Sequence, residues 1–240
     1  AMIVGDVAVV GAAMLSGGAP KSKTNVPGYV RGYDVRTGKL IWTFHTIPKL
    51  GEFGNNTWEN DSWQYTGNTG VWAPISADPE LGYVYLPVET PTGDYYGGHR
   101  PGDNLFSSSI VALHLDGSYA WHFQMVHHDL WDFDCPSPVV LFDQMIDGVM
   151  RKGIAEACKT GWIYMLDRTN GKNLLSKPFA ESMNWYKGVD EKGSPIPNPD
   201  KDPKLDGTLV SPTSTGITNW PAPSFSPDTG LFYVGTEQTY

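Results

Sequence analysis

The chain has 240 residues, of which 18% are charged and 12% aromatic, with 27 Gly and 19 Pro; it is long enough to bury a sizeable core and too aromatic for disorder. A formal net charge of −9 argues against a nucleic-acid backbone or an anionic membrane surface as partner, because both need Lys and Arg. No apolar run approaches the roughly 20 residues of a membrane helix.

The chain opens on AMIVGDVAVVGAAM, which reads as strand, turn and strand, and closes on LFYVGTEQTY, again a strand. Starting and stopping inside strands points to a piece of a longer protein, so targeting segments would lie elsewhere. Between the ends, short β-branched and aromatic runs are bounded by Gly, Pro, Asn and Asp: YVRGYDV, LIWTFHT, YVYLPVE, SIVALHL and WIYML. No segment holds a 3.6-residue period with caps. GVMRKGIAEAC (148–158) comes nearest, but it is short and contains Gly153, so it is assigned to strand. The stretches 47–70 and 184–207 are polar and rich in Gly, Pro and Asn; they read as long loop insertions over one face.

Two internal repeats set the architecture. WAPISADPELGYVYLPVE (72–89) aligns without gaps on WPAPSFSPDTGLFYVGTE (220–237), 148 positions on. That offset is near three units of about 50 residues, the size of a four-stranded propeller blade. YDVRTGKLIW (33–42) is echoed by LHLDGSYAW (113–121) and LDRTNGKNLL (166–175), each a strand, a tight turn ending in Gly, and a strand. In two of the three a Trp, Trp42 or Trp121, stands four residues after that Gly. The expected fold is all-β, a β-propeller of four-stranded antiparallel blades. About four blades fit into residues 1–240, taken as one partial-propeller domain.

The turn DVRTGKLIW, with PGDN (101–104), HHDLWDFD (127–134) and LDRTNGK (166–172), resembles the quinoprotein dehydrogenases. The look is nearest to the membrane glucose dehydrogenase and its soluble alcohol and sugar relatives. The resemblance implies an eight-bladed ring, of which this chain is about half, with the remainder of the propeller as its partner. It implies pyrroloquinoline quinone (PQQ) and a Ca²⁺ or Mg²⁺ ion on the axis. The reaction is hydride transfer from an alcohol or aldose to the quinone, with a carboxylate taking the hydroxyl proton and the ion acting as Lewis acid. Quinone or cytochrome c would accept the electrons. The implied location is the periplasm, with inner-membrane attachment through other segments left open.

Residue by residue, the resemblance makes Asp132 the catalytic base and an ion contact; by type alone it reads as a turn aspartate. Lys159 matches a basic residue that contacts the quinone and stabilises its developing negative charge; by type alone it is a solvated hairpin lysine. Trp72 matches an indole on which the flat quinone lies, and its repeat mate Trp220 reads as packing or pocket wall. Thr90 stands where some members carry an Asn ion ligand, and its oxygen suits a hard cation. Asn219 matches an amide that hydrogen-bonds the quinone. Close to a metal, Asp132 is expected to keep a low pKa.

The same stretch, HHDLWDFDCP (127–136), is expected to enter a strand, with Trp131 as core anchor and His127 and His128 at the pocket rim. A zinc site of His127 with Asp132 or Asp134 lacks the usual ligand spacing. Cys135 and Cys158 flank the two proposed catalytic positions, and their pairing stays open. LSGGAPKSKTNVPG (15–28) has no Asp or Glu where family members usually carry an acidic ion ligand, which puts the metal in question. Two other functions compete: a non-catalytic propeller scaffold, which needs none of this residue set, and a zinc hydrolase.

Overall fold

In the computed structural model, residues 1–12 and 22–238 are described. Strands β1 (Met2–Val4), β2 (Val7–Val10), β3 (Val30–Asp34) and β4 (Leu40–Phe44) form a first antiparallel sheet in chain order. A second holds β5 (Ser76–Asp78), β6 (Tyr83–Val88), β7 (Ser109–His114) and β8 (Tyr119–Gln124). A third holds β9 (Val140–Ile146), β10 (Val149–Ala157), β11 (Trp162–Asp167) and β12 (Asn173–Pro178). The segment GVMRKGIAEAC is strand β10, as expected. Two hairpins complete the chain, β13 (Tyr186–Val189) with β14 (Pro195–Pro197), and β15 (Ser224–Ser226) with β16 (Leu231–Tyr233).

The repeat is visible in the strand register. Ser76 pairs with Tyr85 and Asp78 with Tyr83 in β5–β6; Ser224 pairs with Tyr233 and Ser226 with Leu231 in β15–β16. The described residues thus hold three complete blades and the opening hairpin of a fourth, in line with the partial propeller of about four blades expected. The second insertion spends its residues on the β13–β14 hairpin and a 3-10 turn at Pro199–Lys201. The first insertion also has structure, 3-10 turns at Asn55–Thr57 and Glu59–Gln64. HHDLWDFDCP is not a strand entry. It lies in the loop between β8 and β9, because its backbone groups bond to side chains and loops rather than to a neighbouring strand.

The second blade is buried on both faces. Side chains alternate along a strand, so Val84, Leu86, Val111 and Leu113 pack towards the first blade with Val7, Val9 and Val30. Tyr85, Ile110 and Ala112 pack towards the third with Ile154, Tyr164 and Leu166. This two-sided burial explains why YVYLPVE and SIVALHL read as nearly continuous apolar runs.

Tryptophans join the blades. The Trp42 indole N–H donates to the Leu115 carbonyl at 2.9 Å, and the Trp121 indole N–H to the Arg168 carbonyl at 3.2 Å. Each ring covers the turn glycine of the following blade. A Cβ on Gly117 would stand 2.5 Å from the Trp42 ring, and one on Gly171 2.5 Å from the Trp121 ring. Arg168 adds an inter-blade ion pair to Asp78 at 2.7 Å; burial alone would raise the Asp78 pKa, but the guanidinium holds it below its usual range.

Between the second and third blades lies one polar liability. Glu156 is wholly buried; Oε1 accepts from the Ser137 hydroxyl at 2.6 Å, and Oε2 has no partner. Burial raises its pKa well above the carboxylate range.

Two outcomes follow for the full-length protein. Gly117→Ala should cost about 1–3 kcal/mol, since it combines a positive φ of 84° with collision against Trp42. Gly148→Ala, with φ 76° but open space around it, should cost less; equal shifts in urea midpoint would remove the indole contact from the account. Glu156→Gln should raise the melting temperature at pH 7 and make no difference at pH 3. The folded pKa is raised, so above the unfolded value of about 4.3 only the unfolded carboxyl ionises freely, and stability is lost as pH rises. A melting temperature gap that does not grow with pH would contradict this.

Candidate active site

Several loops leave the same edge of their blades: those before β5, after β6 and after β8, and the β10–β11 turn. On them four of the residues picked from the sequence, Trp72, Thr90, Asp132 and Lys159, meet. Lys159, in the β10–β11 turn, is 4% exposed and not the solvated hairpin lysine its type suggests. Its Nζ donates to the Asp132 carbonyl at 2.9 Å and to Asp132 Oδ2 at 3.0 Å, and lies 2.6 Å from Asp134 Oδ1. Thr90, buried just after β6, donates through Oγ1 to Asp132 Oδ1 at 3.3 Å. Trp72, 41% exposed, borders the group, and its side chain acts to lower the Asp134 pKa against the effect of burial.

Asn219 and Trp220 stand apart. The Asn219 amide is spent within its own loop, Nδ2 on the Thr215 carbonyl and Oδ1 on the Trp220 N–H. That loop nevertheless touches the site, because the Ile217 N–H donates to the Lys159 carbonyl at 3.2 Å and Gly216 lies against the Lys159 Cα. Trp220, 65% exposed, lines an open cleft of about 650 Å³ with Asn219, Thr236 and Glu237.

Three further acidic groups surround Asp132: Asp134, which the sequence offered only as an alternative zinc ligand, and Glu89 and Asp94, which were missed there. The Glu89 carboxyl is pushed up to about 8, chiefly by burial and then by Asp134, Asp94 and Asp132, against the pull of a Gly70 N–H bond. Asp94 rises to about 6, through burial and then Asp129 and Asp134. Asp132 itself rises to about 7 from burial and then the Asp134 charge, against the pull of Lys159. From the protein's own groups, Asp132 stands above its usual range because low dielectric and like charges outweigh one ammonium; the low pKa expected next to a metal is a separate matter. Burial by itself would lower Lys159, but Asp134 and Asp132 hold it above its ordinary value.

Arg100 was also missed. It is fully buried; its guanidinium donates to Asn104 Oδ1 at 2.8 Å, the Gly93 carbonyl at 3.0 Å and the Asp129 carbonyl at 2.6 Å. Asn104 closes the PGDN turn by donating to the Arg100 carbonyl. Cys135 and Cys158 form a disulfide with Cα atoms 4.8 Å apart, which ties the Asp132–Asp134 segment to the residue before Lys159. The histidines keep to the rim: His127 Nδ1 is 3.4 Å from Asp103 Oδ2, and His128 Nδ1 bonds the Gly102 carbonyl. Among the described residues no three His, Cys, Asp or Glu side chains converge on a metal position, so the zinc reading finds no support.

The sequence profile of the family described as "PQQ: Glucose/ethanol/alcohol dehydrogenase, beta-propeller domain" matches residues 1–182. The chain belongs to this PQQ dehydrogenase family. It is 36% identical over 224 residues to the quinohemoprotein alcohol dehydrogenase ADH IIB of Pseudomonas putida, covering 87% of this chain and 32% of that protein. It is 34% identical to the quinoprotein alcohol dehydrogenase PedH of the same species, covering 92% of this chain and 41% of that one. A europium-containing methanol dehydrogenase superposes with a TM-score of 0.84 at 30% identity, over 98% of this chain and 43% of that one. The chain thus spans roughly a third to two fifths of the length of these relatives.

The residues suit the family's groups. A half-exposed indole face beside a buried ammonium fits a flat, anionic quinone. Oxygen donors from Asp132 and Thr90, amid carboxyls crowded enough to raise one another's pKa, fit a hard cation. The ion's further ligands would come from the cofactor or from outside the described residues. Of the stretch LSGGAPKSKTNVPG, residues 15–21 lie outside them, so its missing acidic ligand has no structural counterpart here.

In the full-length protein, Lys159→Met should cost about 3 kcal/mol or more, because it strands the buried Asp134 and the half-buried Asp132 carboxylates without their cation. The loss should be smaller at pH 5 than at pH 7.5, since both carboxyls have raised pKa values and protonation removes the stranded charge. Urea titrations at the two pH values check it; equal losses would mean Lys159 is not the partner of those charges.

Proposed function

We propose that the full-length protein oxidises an alcohol with PQQ as cofactor, Asp132 serving as the base. The observation that carries this reading is the Lys159 ammonium held between Asp132 and Asp134 beside the half-exposed Trp72. Bound PQQ supplies a two-electron acceptor for the hydride of the alcohol carbon. Trp72 offers a stacking face, with Trp220 as a wall of the neighbouring cleft and Asn219 as an amide that can turn from its loop to a ligand. Lys159 places positive charge against the ligand in a site where water is scarce and charge therefore counts for more.

Asp132 takes the hydroxyl proton, and its position rather than its basicity supplies most of the effect. Thr90 and Asp132 would hold a Ca²⁺ or Mg²⁺ ion, whose charge would draw the Asp132 pKa back down and keep it ionised at neutral pH. The names of the relatives reported above favour an alcohol over an aldose as substrate, and the family resemblance makes a quinone or cytochrome c the electron acceptor. The disulfide supports a periplasmic location, since such bonds persist in oxidising compartments. A non-catalytic scaffold would gain nothing from burying a lysine between two carboxylates, which cost several kcal/mol each to desolvate.

The test is dye-linked turnover of primary alcohols by the full-length protein reconstituted with PQQ and Ca²⁺. Asp132→Asn should lower kcat by about 100-fold or more while quinone binding, followed by tryptophan fluorescence, persists. Turnover that survives Asp132→Asn would give the base role to another residue. Absence of any quinone-dependent turnover in the unmodified protein would leave the scaffold reading.

A further inference from the structure

Asp132 has a φ of 59°, in the left-handed region that a residue with a Cβ rarely adopts. Such a conformation persists only where its surroundings over-determine it. The surroundings here centre on Asp129, which is fully buried. Its Oδ1 accepts the Trp131 N–H at 2.9 Å, and its Oδ2 accepts the Phe133 N–H at 2.9 Å and the Ser108 hydroxyl at 2.8 Å. The two amides bracket residue 132, so the turn from 129 to 133 is wound around one carboxylate.

The geometry of a single peptide carries the effect onward. In a trans peptide the N–H and the C=O point in opposite directions. The 132–133 peptide aims its N–H at Asp129, so its carbonyl, that of Asp132, must point away. That carbonyl is the one that accepts Lys159 Nζ at 2.9 Å. Asp129 therefore sets the direction of both partners: it turns the Asp132 backbone, and through the carbonyl it fixes the ammonium that also bridges to Asp134. Arg100 braces Asp129 from behind through the Asp129 carbonyl.

We infer that Asp129 is the positioning residue of the Asp132–Lys159 pair, an assignment that rests on the functional reading of that pair given above. Asn is the same shape as Asp, but its NH₂ cannot accept a hydrogen bond. Asp129→Asn must therefore give up the Trp131 amide on one side, or the Phe133 amide and the Ser108 hydroxyl on the other.

The experiment uses full-length protein with PQQ and Ca²⁺, bearing Asp129→Asn, and Ile154→Val as a core change that lowers stability away from the turn. Asp129→Asn should lower kcat roughly 10- to 100-fold with KM for the alcohol changed less than about 3-fold, as a misplaced catalytic pair demands; Ile154→Val should leave both alone. A crystal structure of Asp129→Asn supplies a readout that needs no turnover. Lys159 Nζ should leave hydrogen-bonding distance of the Asp132 carbonyl, and the φ of Asp132 should leave the left-handed region. If the unmodified protein shows no quinone-linked turnover, the function proposed above falls and this structural readout still decides the positioning role. Should Asp129→Asn fail to fold, Ser108→Ala removes one of the three donors and is expected to lower kcat about 3-fold by the same loosening. A kcat unchanged in the variant that folds, or a turn and Lys159 contact retained in Asp129→Asn, overturns the inference.

Discussion

The indole set on the next blade's turn glycine is the contact on which the arrangement of blades depends. Trp42 and Trp121 each reach across, cap a glycine that has no side chain to offer, and hydrogen-bond a backbone carbonyl of the same turn. A flat ring on a bare backbone leaves little play in distance or tilt, and the N–H bond removes the remaining rotation. The first blade is thereby tied to the second, and the second to the third. The loops that leave the shared edge are brought together in consequence, and the site is made where they meet.

That site is dominated by the cost of burying charge. Glu89, Asp94, Asp132 and Asp134 share a region with low access to water, and the cations nearby are Lys159 and Arg100. Left alone, such a group relieves itself by taking up protons, which is what the raised pKa values of Glu89 and Asp132 express. An added cation would relieve the same stress by another route. The polypeptide thus gathers carboxyls whose burial and neighbours oppose their ionisation, and a cation bound among them would lift that opposition.

Much of the frame could be read from the sequence, because it repeats. The Asp or Asn and Gly of each tight turn and the Trp four positions later in two of them are local signals with local causes, and the strand register returns the 148-residue echo. HHDLWDFDCP misled because it alternates like a strand: Trp131, Phe133 and Cys135 enter the core while Asp132 faces Lys159, yet no neighbouring strand pairs with it. Asp132, Lys159, Thr90 and Trp72 were legible through family resemblance. Arg100, Asp129, Glu89 and Asp94 were not. Their environment is made of backbone carbonyls and amides from loops distant in sequence, and such partners leave no trace in residue type or spacing. The raised pKa of Asp132 was hidden for the same reason, since it depends on burial and on neighbours that only the fold assembles.

The cross-link between Cys135 and Cys158 has a bearing on the life history of the protein. Both cysteines are at most 1% exposed, within the same aromatic core as Trp131 and Trp162. A sulfur pair so enclosed is out of reach of dissolved thiols once the third blade has closed over it. Its oxidation is therefore settled while the chain is still opening and closing around it, and thereafter it does not respond to the redox state outside. The bond works as a record of where the protein was folded, not as a sensor of where it resides.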